Sequence, residues 1–259
     1  MNIGIIDAIR DNDLEEFINL TQNDHMSKQL CLNLALSFES YDIIDYLEDE
    51  LHHTQETFQS QTIVHNGLEY KTVLSKTTGK IWLDRNLGAL NCPSTLDDPS
   101  SFGDYYQWGR SDDGHEKYDS QTTNIIAQDP LHASDKFITV NATTSYNWLD
   151  HDDNKLWNNL NSICPKGFRI PTIKEIHSEL ITTQCQNNYD AFGTILKLPS
   201  GGYKEYIDGV IKDIGTGGSL WSTSFKGTNT PQAVYFYKSG VGTFPSYKGN
   251  GHNIRCIAN

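Results

Sequence analysis

Two short runs bring metal-binding residue types together. Asp150-His151-Asp152-Asp153-Asn154 sets oxygen ligands at alternate positions, as calcium loops do. It departs from the EF-hand pattern, because Lys155 stands where the turn glycine belongs and Asn161 where the final bidentate Glu belongs. A solvated acidic loop is the expected state, and an irregular structural calcium site is the alternative. Asp112-Asp113-Gly114-His115-Glu116 offers a metal one imidazole and several carboxylates. A turn carrying surface charges is the expected state there. Gly215-Thr216-Gly217-Gly218 is glycine-rich, but strand residues follow it rather than the helix a phosphate or dinucleotide site needs. HExxH, the P-loop and Cys-x-x-Cys are all missing from the sequence. No catalytic residue and no cofactor are therefore expected.

The stronger signal lies near the carboxy terminus. From Trp221 to Asn253 the chain sets Phe225, Tyr235, Phe236, Tyr237, Phe244, Tyr247 and His252 among Ser, Thr, Gly and Asn. Tyr with small polar neighbours is the composition of antibody-like contact loops: the ring gives area at low entropy cost and the small residues adapt. Glycine and proline recur from Gly227 to Gly251 and let the backbone turn out of a sheet. Period-two alternation puts Tyr235 and Tyr237 on one face and Phe236 on the other, and Trp221 is expected in the core. Residues 239–252 read as a loop or short hairpin with Phe244, Tyr247, Asn250 and His252 exposed. The expected ligand face is Tyr237, Phe244, Tyr247, Asn250 and His252, with Ser239, Thr243 and Ser246 as hydrogen-bonding neighbours.

The elements that must carry this face read as two regions. Residues 1–50 hold 12 acidic groups against Arg10 and Lys28, a net charge of −10 out of −13 for all 259 residues. All eight prolines and all five tryptophans follow residue 80. Residues 1–55 are read as an acidic helical region and residues 56–259 as a β-rich domain, joined near His52–Ser60. In the first region Ile5, Ile6, Ile9, Leu14, Phe17, Ile18 and Leu20 recur at helical spacing, broken at Asp11-Asn12-Asp13. A second pair of helices follows, Leu30 to Leu36 and Tyr41 to Leu47. The halves match at an offset of 27, Ala8 on Ala35, Leu14 on Tyr41, Phe17 on Ile44 and Leu20 on Leu47. "AIRDNDLEEFINL" and "ALSFESYDIIDYL" resemble the helix pairs of ankyrin repeats without their β-turn signature. Such a pair either caps a larger domain or docks a protein partner.

In the second region Thr62 to Val64, Asn66-Gly67 and Tyr70 to Leu74 form a hairpin pattern. A turn at Thr78-Gly79 and Ile81 to Leu83 follow. Gly201 to Tyr203, Leu220 to Ser222, Ala233 to Tyr237 and Ile254 to Ile257 are further strand candidates. Thr172 with Glu175 is a capping box ahead of Ile173, Ile176 and Leu180. Residues 85–165 are long, polar and aromatic, which points to function or to a loop built around its own side chains.

"TGKIWLDRNLGA" (78–89), "FGDYYQWGRSDDGHEK" (102–117), "LWNNLNSICPKGFRIPT" (156–172) and "LWSTS…AVYFY…HNIRCI" (220–257) occur in this order. Together they resemble the Fibrobacter succinogenes major paralogous domain, which is similar to the formylglycine-generating-enzyme branch of the C-type lectin fold. The resemblance spans about residues 60 to 259. It implies an α+β domain with small twisted antiparallel sheets, two helices and long loops. A related branch, the variable proteins of diversity-generating retroelements, carries its ligand face in the segment corresponding to the aromatic stretch. Formylglycine-generating enzymes use paired reactive cysteines late in the chain, whereas Cys256 stands alone in "NIRCIAN". The resemblance therefore implies binding rather than oxidation. It also implies a disulfide between Cys164 and Cys256, and two buried thiols are the alternative.

These readings imply a non-catalytic module for a protein or glycan ligand, on a phage tail or as a retroelement-diversified variable protein. The alternative is an intracellular sensor or adaptor whose acidic helices recruit a protein. The net charge disfavours nucleic acid, whose phosphates need clustered Lys and Arg. No apolar run approaches the roughly 18 residues a membrane helix needs, so no membrane insertion is expected. Asp7, Arg10 and Asp11 stand where a signal peptide keeps an apolar stretch, so cytoplasmic synthesis without a signal is expected, with a virion part as one setting.

Overall fold

The computed structural model describes residues 3–21, 28–154, 156–157 and 163–259, and the side chains of these except 29, 30, 51–57 and 182. Lys155 and Asn161, and the side chain of Leu30, therefore lie outside the description. The chain divides into two compact units, residues 1–61 with 74–81, and residues 62–73 with 82–259.

The first unit holds α1 (Ile3–Arg10), α2 (Leu14–Thr21), α3 (Lys28–Phe38) and α4 (Tyr41–Thr57). The offset of 27 reappears in its backbone. Asn12 and Glu39 both take positive φ, 52° and 56°. Asp13 N–H bonds Ala8 O, as Ser40 N–H bonds Ala35 O, and Phe17 N–H bonds Asp13 O, as Ile44 N–H bonds Ser40 O. Ala8 and Ala35, like Phe17 and Ile44, are buried in one core with Ile5, Ile9, Ile43 and Leu47. Asp13 caps α2 through Glu16 N–H, whereas the Ser40 hydroxyl donates to Ile9 O and so ties the second helix pair to the first. α4 runs on to Thr57, well past Leu47 where the apolar periodicity ends.

The second unit is mixed α+β, with small, mostly antiparallel sheets. Its strands are β1 (Thr62–His65), β2 (Leu68–Leu74), β3 (Ile81–Leu83), β4 (Tyr106–Gln107), β5 (Thr122–Thr123), β6 (Phe137–Ile138) and β7 (Phe168–Arg169). After α5 (Ile173–Thr182) and α6 (Asn188–Gly193) come β8 (Tyr203–Lys204), β9 (Ile211–Lys212), β10 (Gly217–Lys226), β11 (Thr230–Tyr237), β12 (Gly240–Pro245), β13 (Gly251–His252) and β14 (Ile257–Ala258). The sheets run β1-β2-β3-β14-β7, β10-β11-β12 and β4-β13-β8-β9, and β5-β6 is a parallel pair.

Local chemistry explains several of these elements. Asn66 and Gly67 take φ of 48° and 76° between His65 and Leu68, the two-residue turn that matches strand twist. Thr172 and Glu175 form the reciprocal capping box at the start of α5. Arg169 pairs with the same Glu175 at 2.6 Å. Its guanidinium and the Thr172 amide outweigh desolvation and hold the Glu175 carboxyl down at about 2.

The long polar segment is irregular but pinned. Indole N–H groups donate to main-chain carbonyls: Trp108 to Ser222, Trp148 to Trp108, Trp157 to Arg110 and Trp221 to Tyr106. All four rings are buried in one cluster around Cys164 and Cys256. Leaving such a buried carbonyl unpaired costs about 1–3 kcal/mol, so these indoles pin the irregular segment to itself and to β4 and β10. Cys164 and Cys256 are joined by a disulfide, with Cα atoms 5.9 Å apart.

One expectation is narrowed and two are corrected. Of the loop or short hairpin expected over 239–252, residues 240–245 are a strand paired with β11, and Tyr237 faces Gly240 across a two-residue turn. Of Ile254 to Ile257, Ile257 alone lies in a strand, and the residues before it are buried irregular chain. Asp112 to Glu116 is no surface turn around its histidine: His115 and Glu116 are fully buried, as is Arg110 beside them.

Candidate functional site

β11 supplies alternating side chains. Phe236 turns into the core, while Tyr235 and Tyr237 lie on the other face, as the period-two pattern predicts. Each tyrosine lies over a glycine on a neighbouring strand. Tyr237 faces Gly217 of β10 and Tyr235 faces Gly242 of β12. A Cβ at Gly217 would come within 2.2 Å of the Tyr237 ring, and one at Gly242 within 2.7 Å of the Tyr235 hydroxyl. The absence of a side chain at these glycines is what lets the rings lie down on the sheet.

After β12 the chain turns through 246–250 into β13. Asn250 shapes this turn: its amide donates to Ser246 Oγ at 3.0 Å, and its carbonyl accepts Tyr206 N–H at 3.1 Å. His252 stands between two hydroxyls, Ser219 Oγ 2.5 Å from Nδ1 and Ser246 Oγ 2.8 Å from Nε2. Trp221, Phe244 and Tyr203 surround its ring. Burial alone pushes the imidazole down to about 3. Ser246 and His252 have the reach of a nucleophile and a base, but an imidazole so reluctant to take a proton is a weak base at neutral pH.

These elements enclose a cleft of about 710 Å³. Tyr237, Ser239, Phe244, Ser246, Tyr247, Asn250 and His252 all line it. Thr243 does not: it pairs with Val234, and alternation along β12 turns it away from Phe244. The expected exposure is corrected for His252 and Asn250, which are buried, at 1% and 8%, and for Phe244. Ser246 is buried beside them, at 4%; their polar atoms bond one another or nearby chain and only an edge reaches the cleft. Phe244 is half-buried against the core, and Tyr247 is exposed.

The other wall comes from Tyr203, Glu205, Tyr206 and Asp213, which sequence reasoning missed. "GGYKEYIDG" is itself an aromatic and acidic run. Nothing local in it says that β8 lies beside β13, and that pairing brings it to the cleft. Tyr203 Oη donates to Glu205 Oε2 at 3.2 Å. Burial, then nearby Asp213, pushes the Tyr237 phenol up. Burial, then Glu205, pushes the Tyr203 phenol up to about 12. Tyr247 stacks on Tyr146 with ring centres 4.1 Å apart, and Tyr206 meets both edge-on.

The two metal-type runs are engaged internally. Lys248 Nζ sits among the oxygens of the acidic loop, 3.1 Å from Asp152 Oδ1 and 2.7 Å from Asn154 Oδ1. Asp113, His115 and Glu116 do cluster. Asp113 takes a bidentate contact from Arg110 and lies 2.6 Å from His115 Nδ1, while His115 Nε2 accepts Gln107 N–H at 3.0 Å. Both ring nitrogens thus have protein partners, with the proton on Nδ1. Desolvation pushes His115 down to about 4, against the pull of Asp113.

Among the described residues no helix is long and apolar enough to cross a membrane. No protein-family model matches the chain, and no curated protein or solved structure is significantly similar to it.

Proposed function

We propose that residues 56–259 are a non-catalytic ligand-binding module of the C-type lectin-like, formylglycine-generating-enzyme-like kind, and that the cleft between β8, β11, β12 and the 246–250 turn takes a protein or glycan ligand. One observation carries the reading. Seven of the eight residues expected from composition to make contact converge on a single concave site rich in tyrosine. Such sites are the default for recognition: apolar walls with a few fixed polar groups. A phage-tail or retroelement-diversified role fits a face built on a hairpin and its following turn. The second reading, an adaptor that recruits a protein through residues 1–50, is supported by Ile3 of α1, Leu36 and Phe38 of α3 and Tyr41 of α4, which are exposed on this net-acidic region.

The test is binding of the full chain to a glycan array and to a displayed random-peptide library. Tyr247→Ala removes the exposed stacked ring, and Ser239→Arg places bulk at the rim. Anchoring aromatics typically contribute about 2 kcal/mol or more, so Tyr247→Ala should weaken any selected ligand at least about thirtyfold. The melting temperature should stay within a few degrees. Ligands that bind both variants as well as the wild type would place recognition elsewhere.

A further inference from the structure

We propose that the cleft receives a cationic side chain, a guanidinium or ammonium group, presented by a protein partner. The inference rests on the reading of the cleft as the ligand site and names what it recognises.

The first observation is charge. Glu205 and Asp213 line the cleft, and no Lys or Arg lines it with them. Several of the buried or half-buried carboxylates elsewhere in this unit are matched by a cation: Asp113 by Arg110, Asp104 by Lys117 and Glu175 by Arg169. Among the described residues no ion pair involves Glu205 or Asp213. Their contacts in the cleft are phenols. His252 at the floor stays neutral at physiological pH and adds no opposing charge.

The second observation is the balance of donors and acceptors. The Ser246 hydroxyl lies on His252, and the Asn250 amide donates to Ser246. The Tyr203 phenol donates to Glu205. These donors are engaged within the cleft, while carboxylate lone pairs remain. A sugar hydroxyl both gives and takes hydrogen bonds and needs both kinds of partner. An ammonium or guanidinium only gives. The third observation is the rings. Tyr203, Tyr235, Tyr237 and Phe244 present aromatic surface beside those carboxylates, and a cation over such faces gains attraction that its neutral isostere lacks.

The full chain is titrated, with heteronuclear NMR as readout, with N-acetyl-arginine methylamide, its neutral isostere N-acetyl-citrulline methylamide, and methyl galactoside, up to roughly millimolar concentrations. The arginine probe should shift cleft resonances and bind at least tenfold tighter than the citrulline probe. The Glu205→Gln, Asp213→Asn double variant should lose most of that preference. Asp213 takes φ of 65°, which Asn tolerates well, so the backbone is preserved. Equal binding of the two isosteres, or an unchanged preference in the double variant, would overturn the proposal. Galactoside binding that Tyr247→Ala abolishes, with no arginine binding, would overturn it while leaving the cleft as the ligand site. Silence of the cleft to all three probes would overturn it too, and the glycan and peptide screens would then decide the broader reading on their own.

Discussion

Lowering the pH from 7 to 4.5 is expected to remove on the order of 5 kcal/mol of folding stability. Two histidines carry this. His252 and His115 are fully buried, and burial pushes them down to about 3 and about 4 from an ordinary value of 6.5. The folded protein thus binds these protons more weakly than the unfolded chain. The stabilisation is complete above about pH 6.5 and is lost as pH falls toward the folded values. Each group contributes up to about 1.4 kcal/mol per pH unit, so two groups over two units give the stated loss. Asp104, raised by burial against the pull of Lys117, works against this loss at the acid end of the window. Glu175 and Lys204 act outside it. Glu175, held near 2, loses its contribution only below its ordinary value of 4.5. Lys204, pushed down to about 8 by burial, changes its contribution only on the alkaline side. Urea denaturation at half-unit steps of pH measures the slope directly, and His115→Gln or His252→Gln should each remove about half of it. A flat stability between pH 7 and 5 would mean that the fold takes up these protons without opening.

How these histidines would sit was not legible in the sequence, whereas much of the frame was. The 62–74 hairpin, the capping box at Thr172 and the duplicated helix pairs are written in neighbouring residues, because turn chemistry, caps and helical spacing are local. The two faces of the aromatic stretch after Trp221 were legible for the same reason: alternation along β11 separates Tyr237 from Phe236 without any knowledge of the partner strands. What failed was non-local. Thr243 was assigned to the face because its neighbours belong there, and strand alternation turned it away. His252 reads as an exposed polar residue in "GNGHN". Ser219, 33 positions earlier, joins Ser246 in enclosing it. His115 reads as a surface turn residue until Arg110 folds over Asp113 and Gln107 N–H closes the ring's other nitrogen. The Glu205 wall reaches the cleft through one strand pairing, β8 beside β13, for which two-residue strands leave no periodic signal.

Breaking the Cys164–Cys256 bond is expected to cost about 4–5 kcal/mol and to lower the melting temperature by roughly 10–15 °C. The cysteines are 92 positions apart, and closing so long a loop in advance removes much of the freedom of the unfolded chain. Both are buried beside Trp108, Trp148, Trp157 and Trp221, so replacement by Ala also leaves space in a core that aromatic packing cannot readily refill. The site should feel the loss. Cys256 lies four residues after His252, and its carbonyl accepts Leu83 N–H, which holds this last segment of chain against β3. Freed of the bond, the segment that sets His252 under the cleft has one fewer anchor, so ligand binding should weaken along with stability. The bond also separates the two settings proposed for the protein. Outside a reducing compartment it persists and the cleft is held. Inside one, the protein must work as the reduced and less stable form. Differential scanning calorimetry with and without reductant, and of the Cys164→Ala, Cys256→Ala pair, measures the shift. Alkylation of the denatured protein should label three thiols before reduction, Cys31, Cys92 and Cys185, and all five cysteines after it. Five labels without reductant, or an unchanged melting temperature once all five are labelled, would show that the aromatic core holds this segment without the bond.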